Sequence, residues 1–583
     1  MRLALCAICF ATAAAAAPNL ATEAERSAFR RTGRYDEVVR LCHDFETAYP
    51  GKVRCQSFGT TPEGRPMVAL VASTDGALSP EDARARGRAV LLIQGGIHAG
   101  EIEGKDAIFP VLRELLAGKI APGALGKVTA IFVPVFNVDG HERFGPNNRP
   151  NQRGPEQMGF RTTAQNLNLN RDYVKSEAPE MQTMLGLWDA WDPILYVDLH
   201  TTDGAKFQPD VSILVAPGAP HLGGLDQPAA ALSAALMKRL TAQKHIPLAF
   251  YPDFRMKDDP RSGFAVTTAP PRFSHEYAAA RNRLGVLVET HSWKSYAQRV
   301  AATHDTLQVL FEQALAEQAS WRAAAARADE AAARLAGTDV VLGYQADATP
   351  RTIDFPGYAY TVTTSEISGK GWIVYDETKP EIWHIPLYDH MVPALTVHAP
   401  RAGYVVPATQ AAWLAPLLRR QGIHFDVLTG GHDDLAVEGY RIAELSYGAP
   451  FEGHTPVKVT GAWRPTKQSF PAGSLLVPIA QKRALLVLHL LDPGAPDSVV
   501  AWGLCSAMFE QKEFMEDYVL EGEARRMLAA DPKLKAEFEQ RLAGDTAFAQ
   551  SPEKRLAFFY ERHPSWDQRI GWVPVYRVDE VPK

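Results

Sequence analysis

Short apolar runs alternate with stretches of helical spacing over roughly the first 335 residues of the chain. Residues 89–93, 128–135, 194–199 and 285–288 are largely apolar runs, the pattern of strands buried on both faces. Residues 106–117, 180–191 and 229–240 read as helices, with Pro179 suited to the first turn of the second. A long Ala-rich helix over 307–335 is stopped by Gly337. Nearer the start, a short helix over 35–41 precedes a hairpin that turns through Thr61–Gly64 into the apolar run 66–71. Strands alternating with helices predict an α/β domain over 23–336.

The pattern then changes. Residues 340–480 are short strands separated by Gly and Pro, with one helix near 410–420, and predict a β-rich accessory domain. Residues 482–583 predict an α/β region with a strand at 484–489 and amphipathic helices over 533–542 and 552–562. One stretch inside the first domain, 137–161, is rich in Asn, Pro, Gly and Arg and has no period. A loop of that length in a compact domain is either functional or disordered.

Length and composition change this picture little. The 583 residues are enough for about two to four domains, and 46% hydrophobic with 22% charged residues is ordinary for a globular protein. A net charge of −6 argues against a nucleic-acid partner, which would meet a basic face. Residues 1–17, a basic start, a short apolar core and a run of alanines, read as a signal peptide cut near Ala15 or Ala16. A secreted or periplasmic protein is expected, and no later stretch has the apolar length of a membrane span. Cleavage would leave Cys42, Cys55 and Cys505. Cys42 and Cys55 can pair in an oxidising compartment, but three cysteines make no disulfide framework, and the pairing stays open. Nothing in the sequence reports the oligomeric state.

The candidate chemistry lies at strand ends. His98 and Glu101 follow the 89–93 run and its two glycines, and His200 directly follows the 194–199 run. Open α/β sheets place ligand sites at the carboxyl ends of their strands. Two imidazoles and one carboxylate would leave a tetrahedral zinc one open position for water, as a catalytic site requires. Glu289 ends another buried run and is a candidate general base, a capping carboxylate or a buried salt bridge being its structural alternatives. His291 is a lesser candidate ligand, because its side chain is expected to point to the opposite face of the strand. Arg161, Asn170 and Arg171 give the loop before His200 a basic, amide-rich lining suited to an anionic group or a developing oxyanion.

Taken in order, His98-x-x-Glu101, Arg161, Asn170-Arg171, His200 and Glu289 resemble the zinc metallocarboxypeptidases of the carboxypeptidase A/B type, the funnelins, over roughly residues 30–335. The resemblance implies a mixed, mostly parallel α/β sheet of about eight strands flanked by helices. It implies one zinc per chain on His98, Glu101 and His200, with Glu289 as general base. Arg161 would polarise the scissile carbonyl, and Asn170 and Arg171 would grip the terminal carboxylate of a peptide substrate. The sequence departs from the family in two places. Gly100 stands where the family has an arginine before the ligand glutamate, and the substrate-capping tyrosine has no clear match, Tyr277 being the nearest. The residue that sets side-chain preference cannot be aligned, and residues 337–583 lie outside the family's core. The expected activity is release of C-terminal residues from peptides. A related zinc amidase or deacylase, including one acting on cell-wall peptides, is the alternative, and the presence of both Asn170 and Arg171 favours the peptidase. A non-catalytic binding module would have lost a metal or base position, and none is lost.

Overall fold

The apolar runs of the first region become neighbouring strands of one sheet. The computed structural model describes residues 18–582, so the expected signal peptide lies outside the described residues. The first nine strands are β1 (Val53–Thr60), β2 (Pro66–Ala72), β3 (Ala89–Gly95), β4 (Val128–Val133), β5 (Leu195–Thr202), β6 (Val211–Ala216), β7 (Pro247–Leu248), β8 (Phe264–Ala265) and β9 (Leu284–His291). Eight of them form a sheet in the order β1-β2-β4-β3-β5-β9-β6-β7. Its centre, β4-β3-β5-β9, is parallel, while β1, β2 and β6 pair antiparallel.

Helices Tyr35–Ala48, Glu103–Leu116, Pro179–Trp191, Asp226–Ala242 and Tyr296–Ala332 pack on this sheet, which is why β3, β4, β5 and β9 are buried throughout. Gly96, at φ +64°, makes the tight exit from β3. Cys42 and Cys55 form a disulfide that joins the helix Tyr35–Ala48 to β1, and Cys505 is free and buried. Among the described residues no helix is long and apolar enough to cross a membrane.

Ten further strands follow: β10 (Asp339–Ala346), β11 (Arg351–Thr364), β12 (Gly371–Tyr388), β13 (Met391–His398), β14 (Gly403–Val406), β15 (Asp426–Val427), β16 (His432–Tyr447), β17 (Val457–Phe470), β18 (Leu475–Pro478) and β19 (Trp572–Val578). The hairpin β11-β12 takes β8 of the first region as its third strand. A six-stranded sheet runs β15-β18-β14-β19-β16-β17. The expected division at 480–482 therefore does not separate two sheets, because β19 sits between β14 and β16. One hydrophobic core also runs continuously from Ala24 to Val575.

The strand expected at 484–489 is instead a helix, Ala484–Leu491, buried at every residue. Its sequence is apolar on all sides, and periodicity cannot separate such a helix from a buried strand. The helices expected near 533–542 and 552–562 are present as Pro532–Gly544 and Pro552–Tyr560.

One ion pair on the flank of the sheet carries a pH signature. His245 Nδ1 lies 2.6 Å from Asp210 and Nε2 3.1 Å from Asp305. Hydrogen bonds to Asp210 and Asp305 raise the imidazole to about 9, against about 6.5 in an unfolded chain. The folded state thus holds the proton more tightly. The stabilisation is fully present below about pH 6.5 and is lost as pH rises through about 9. His245→Gln should lower stability by about 1 kcal/mol near pH 6, after allowance for solvent screening. That gap should close by about pH 10, as thermal melts at the two pH values would show. A gap that ignored pH would assign His245 to packing alone.

Candidate active site

Three strand ends converge at the carboxyl edge of the sheet. Parallel pairing sets Gly95 opposite Leu199 and His200 opposite Glu289, so the turn after β3 and the ends of β5 and β9 face one another. The turn closes with a hydrogen bond from Glu101 N–H to His98 O (2.9 Å). It delivers both side chains to the end of β5.

His98 Nδ1 lies 2.9 Å from Glu101 Oε1, and His200 Nδ1 lies 3.0 Å from Glu101 Oε2. The outer nitrogens are engaged elsewhere: His98 Nε2 with Asn168 Oδ1 at 3.1 Å, His200 Nε2 with Asp198 Oδ2 at 2.8 Å. Gln94 Nε2 donates to Asp198 Oδ1 (3.0 Å), which fixes that carboxylate in turn. Ligand atoms of His98, Glu101 and His200 all lie within 4.8 Å of one another, and all three residues are buried.

This donor set fits a zinc ion. Two Nδ1 atoms and a carboxylate converge on one point, and each imidazole offers its remaining nitrogen to an oxygen acceptor, the usual outer partner of a metal-bound histidine.

The electrostatics follow from burial and from these partners. Burial opposes the charge on Glu101, but His98, Arg149 and the hydrogen bond from His200 outweigh it and hold the carboxyl well below its ordinary range. Burial brings His98 down to about 4. For His200 burial is outweighed by Asp198 and Glu101, and the ring is raised well above its ordinary value. Glu289 is pushed up to about 8 by burial, with Glu101 and Asp198 adding to the effect and His200 and Arg149 opposing it.

Two arginines reach Glu101. Arg161 Nη1 is 3.3 Å from Oε1, and Arg149 Nη2 is 3.0 Å from the same atom while donating to Thr201 O at 3.2 Å. Arg149 was not legible in the sequence, standing in the unperiodic loop before Arg161. Its packing explains Gly100: a Cβ there would meet Arg149 Cγ at 2.5 Å. The loop thus brings a guanidinium stem against position 100.

Asn170 and Arg171 lie on a turn of 3-10 helix, Leu169–Arg171, beside this centre. The Arg171 guanidinium lies over the Phe273 ring at 4.1 Å and donates to Asn170 O at 2.7 Å. Among the described residues no carboxylate forms a salt bridge with it. Burial, with the charge of Arg161, brings its pKa down to about 10.

Two of the remaining candidates are placed elsewhere. Tyr277 is fully buried in the core: its hydroxyl donates to Gln421 Oε1 (2.7 Å) and accepts from Arg281 (3.1 Å), and its ring packs on Tyr173 and Trp188. It cannot cap a substrate, because its position on the helix Ser274–Ala280 faces inward. His291 stacks on Phe207 at 3.9 Å and is not among the converging ligands. The tyrosine at the site is Tyr251, whose hydroxyl accepts from Thr202 Oγ1 at 3.0 Å. Burial and the charges of Glu289, Asp203 and Glu101 raise its phenol. Tyr251, Phe250, Phe254, Phe273, His275 and Glu276 line part of a cavity of about 510 Å³.

Residues 38–209 match the family described as zinc carboxypeptidase. The match indicates a zinc metallopeptidase. The matched stretch contains His98, Glu101, Arg149, Arg161, Asn170, Arg171 and His200, and strand register adds Glu289. No curated protein matches the chain. Similar solved structures include a metallo-carboxypeptidase from Burkholderia cenocepacia, 16% identical over 47% of this chain and 68% of that one, with a TM-score of 0.35. Another is a metallo-carboxypeptidase from Pseudomonas aeruginosa, 16% identical over 48% of this chain and 68% of that one, TM-score 0.35. A third is a carboxypeptidase A from Helicoverpa armigera, 16% identical over 51% and 75%, TM-score 0.36.

Proposed function

We propose that the protein is an exported zinc metallocarboxypeptidase that releases C-terminal residues from peptides, with one zinc per chain on His98, Glu101 and His200. The observation that carries this reading is Arg171: a half-buried guanidinium that has no carboxylate partner among the described residues, next to Asn170 and beside the ligand set. Such a fork takes a carboxylate in two parallel hydrogen bonds, and a peptide's free C-terminus supplies one. The Cys42–Cys55 pair suits the oxidising compartment that the leader-like residues 1–17 point to.

Zinc at such a site supplies a Lewis acid and lowers the pKa of water. The chain's own groups do the rest. Glu289, at the end of β9, takes the proton of the attacking water on its carboxylate and returns it to the leaving nitrogen. Arg149 and Arg161 bring positive charge to the carbonyl oxygen as it becomes negative. Asn170 and Arg171 hold the terminal carboxylate, which sets the last peptide bond, and no internal one, at Glu289. The cavity beside Tyr251 and Phe273 takes the last side chain.

Substrates with a free or an amidated C-terminus test the reading. A hydrogen bond to a charged group is worth about 1.5–3 kcal/mol, so amidation should lower kcat/KM by about ten- to a hundredfold. Arg171→Ala should remove most of that difference. Equal cleavage of both substrates by the parent enzyme would instead favour the amidase or deacylase.

A further inference from the structure

The segment that carries Asn170 and Arg171 is held in place from the far half of the chain. Glu452 Oε2 accepts a hydrogen bond from Asn168 N–H at 2.8 Å. Gln421 Nε2 donates to Tyr173 O at 2.8 Å and to Val174 O at 2.9 Å. Arg420 Nε donates to Ser176 Oγ at 3.0 Å, and His454 Nε2 lies 2.7 Å from Glu177 Oε2. Every one of these contacts comes from residues 420–454, and every one lands between 168 and 177.

Within this clamp Asn168 is the node. Its Oδ1 lies 3.1 Å from His98 Nε2 and also accepts from Asn170 N–H at 3.0 Å. One residue thus touches both the ring of a ligand and the start of the carboxylate grip. Glu452 is aimed at it by its own loop. The backbones of Phe451 and His454 exchange hydrogen bonds around it, and the Phe451 ring stacks on Trp502 at 6.0 Å. A surface brace could attach anywhere along the segment. Here a carboxylate oxygen accepts from the backbone N–H of the one residue that bonds to the outer nitrogen of His98.

We infer that Glu452, from the accessory region, is a positioning residue of the active site, fixing Asn168 and through it the His98 ring and the Asn170–Arg171 grip. The inference rests on the zinc-peptidase reading. It makes the second half of the chain part of the catalytic apparatus.

Glu452→Ala and Glu452→Gln separate the alternatives, because a Gln amide oxygen can still accept from Asn168 N–H and an Ala cannot. Loss of an outer partner commonly weakens metal binding about 10- to 100-fold. Zinc should leave E452A for a chelator about tenfold faster than it leaves the parent, and KM for a free-acid peptide should rise several-fold. E452Q should stay within about twofold of the parent on both measures. Glu452→Met, which keeps the stem and lacks the acceptor, repeats the comparison should E452A fail to fold. Parent-like zinc retention and KM in E452A overturn the inference, as does an E452Q that fails as badly as E452A, since charge would then be the cause. Zinc retention is read without substrate. A parent protein that holds no zinc overturns the function itself, whereas a zinc-loaded, active parent with a silent E452A overturns only the role of Glu452.

Discussion

Glu289→Gln is expected to keep zinc, fold and substrate binding while losing about 10² to 10⁴ in turnover. The amide has nearly the shape of the carboxylate and cannot accept a proton. Glu289 is buried at the end of β9, opposite His200, where burial pushes its carboxyl up to about 8. A dication held beside it would favour the ionised form and draw that value down. Kinetics and elemental analysis on the same preparation decide the point. A zinc-loaded variant that turns over within a few-fold of the parent would remove Glu289 from the role of base.

His98→Ala should abolish zinc binding and activity together. The two remaining ligands cannot hold a catalytic ion, and the loss should exceed the roughly 10- to 100-fold that follows from an outer-partner change. The deletion also takes from Glu101 one of the groups that stabilise its buried charge. Stoichiometric zinc in the purified variant would sink the ligand assignment.

The parts of this site that were legible in the sequence are those fixed by strand ends. His98, Glu101, His200 and Glu289 each follow an apolar run, and parallel pairing puts the ends of such runs side by side. Arg149 and Tyr251 were not legible, because each lies in an irregular segment whose path is set by long-range packing and not by any local period. The same limit explains Tyr277, which alone among the expected site residues lies on an α-helix in the core. Accessory contacts were beyond reach as well: Glu452 and Asn168 are separated by 284 positions, and nothing in either neighbourhood announces the other. The helix Ala484–Leu491 is not legible as one, because a short apolar run suits a buried strand equally well.

The position of β19 bears on how the molecule is made. Strands β14 and β16 leave the ribosome long before Trp572, and the gap between them is filled only by residues 572–578. Until then each presents an open edge, and pairing across so long a stretch of chain is intrinsically slow. Since the clamp on Asn168 hangs from the loop between β16 and its hairpin partner β17, the strand that closes this sheet also braces the sheet that carries the clamp.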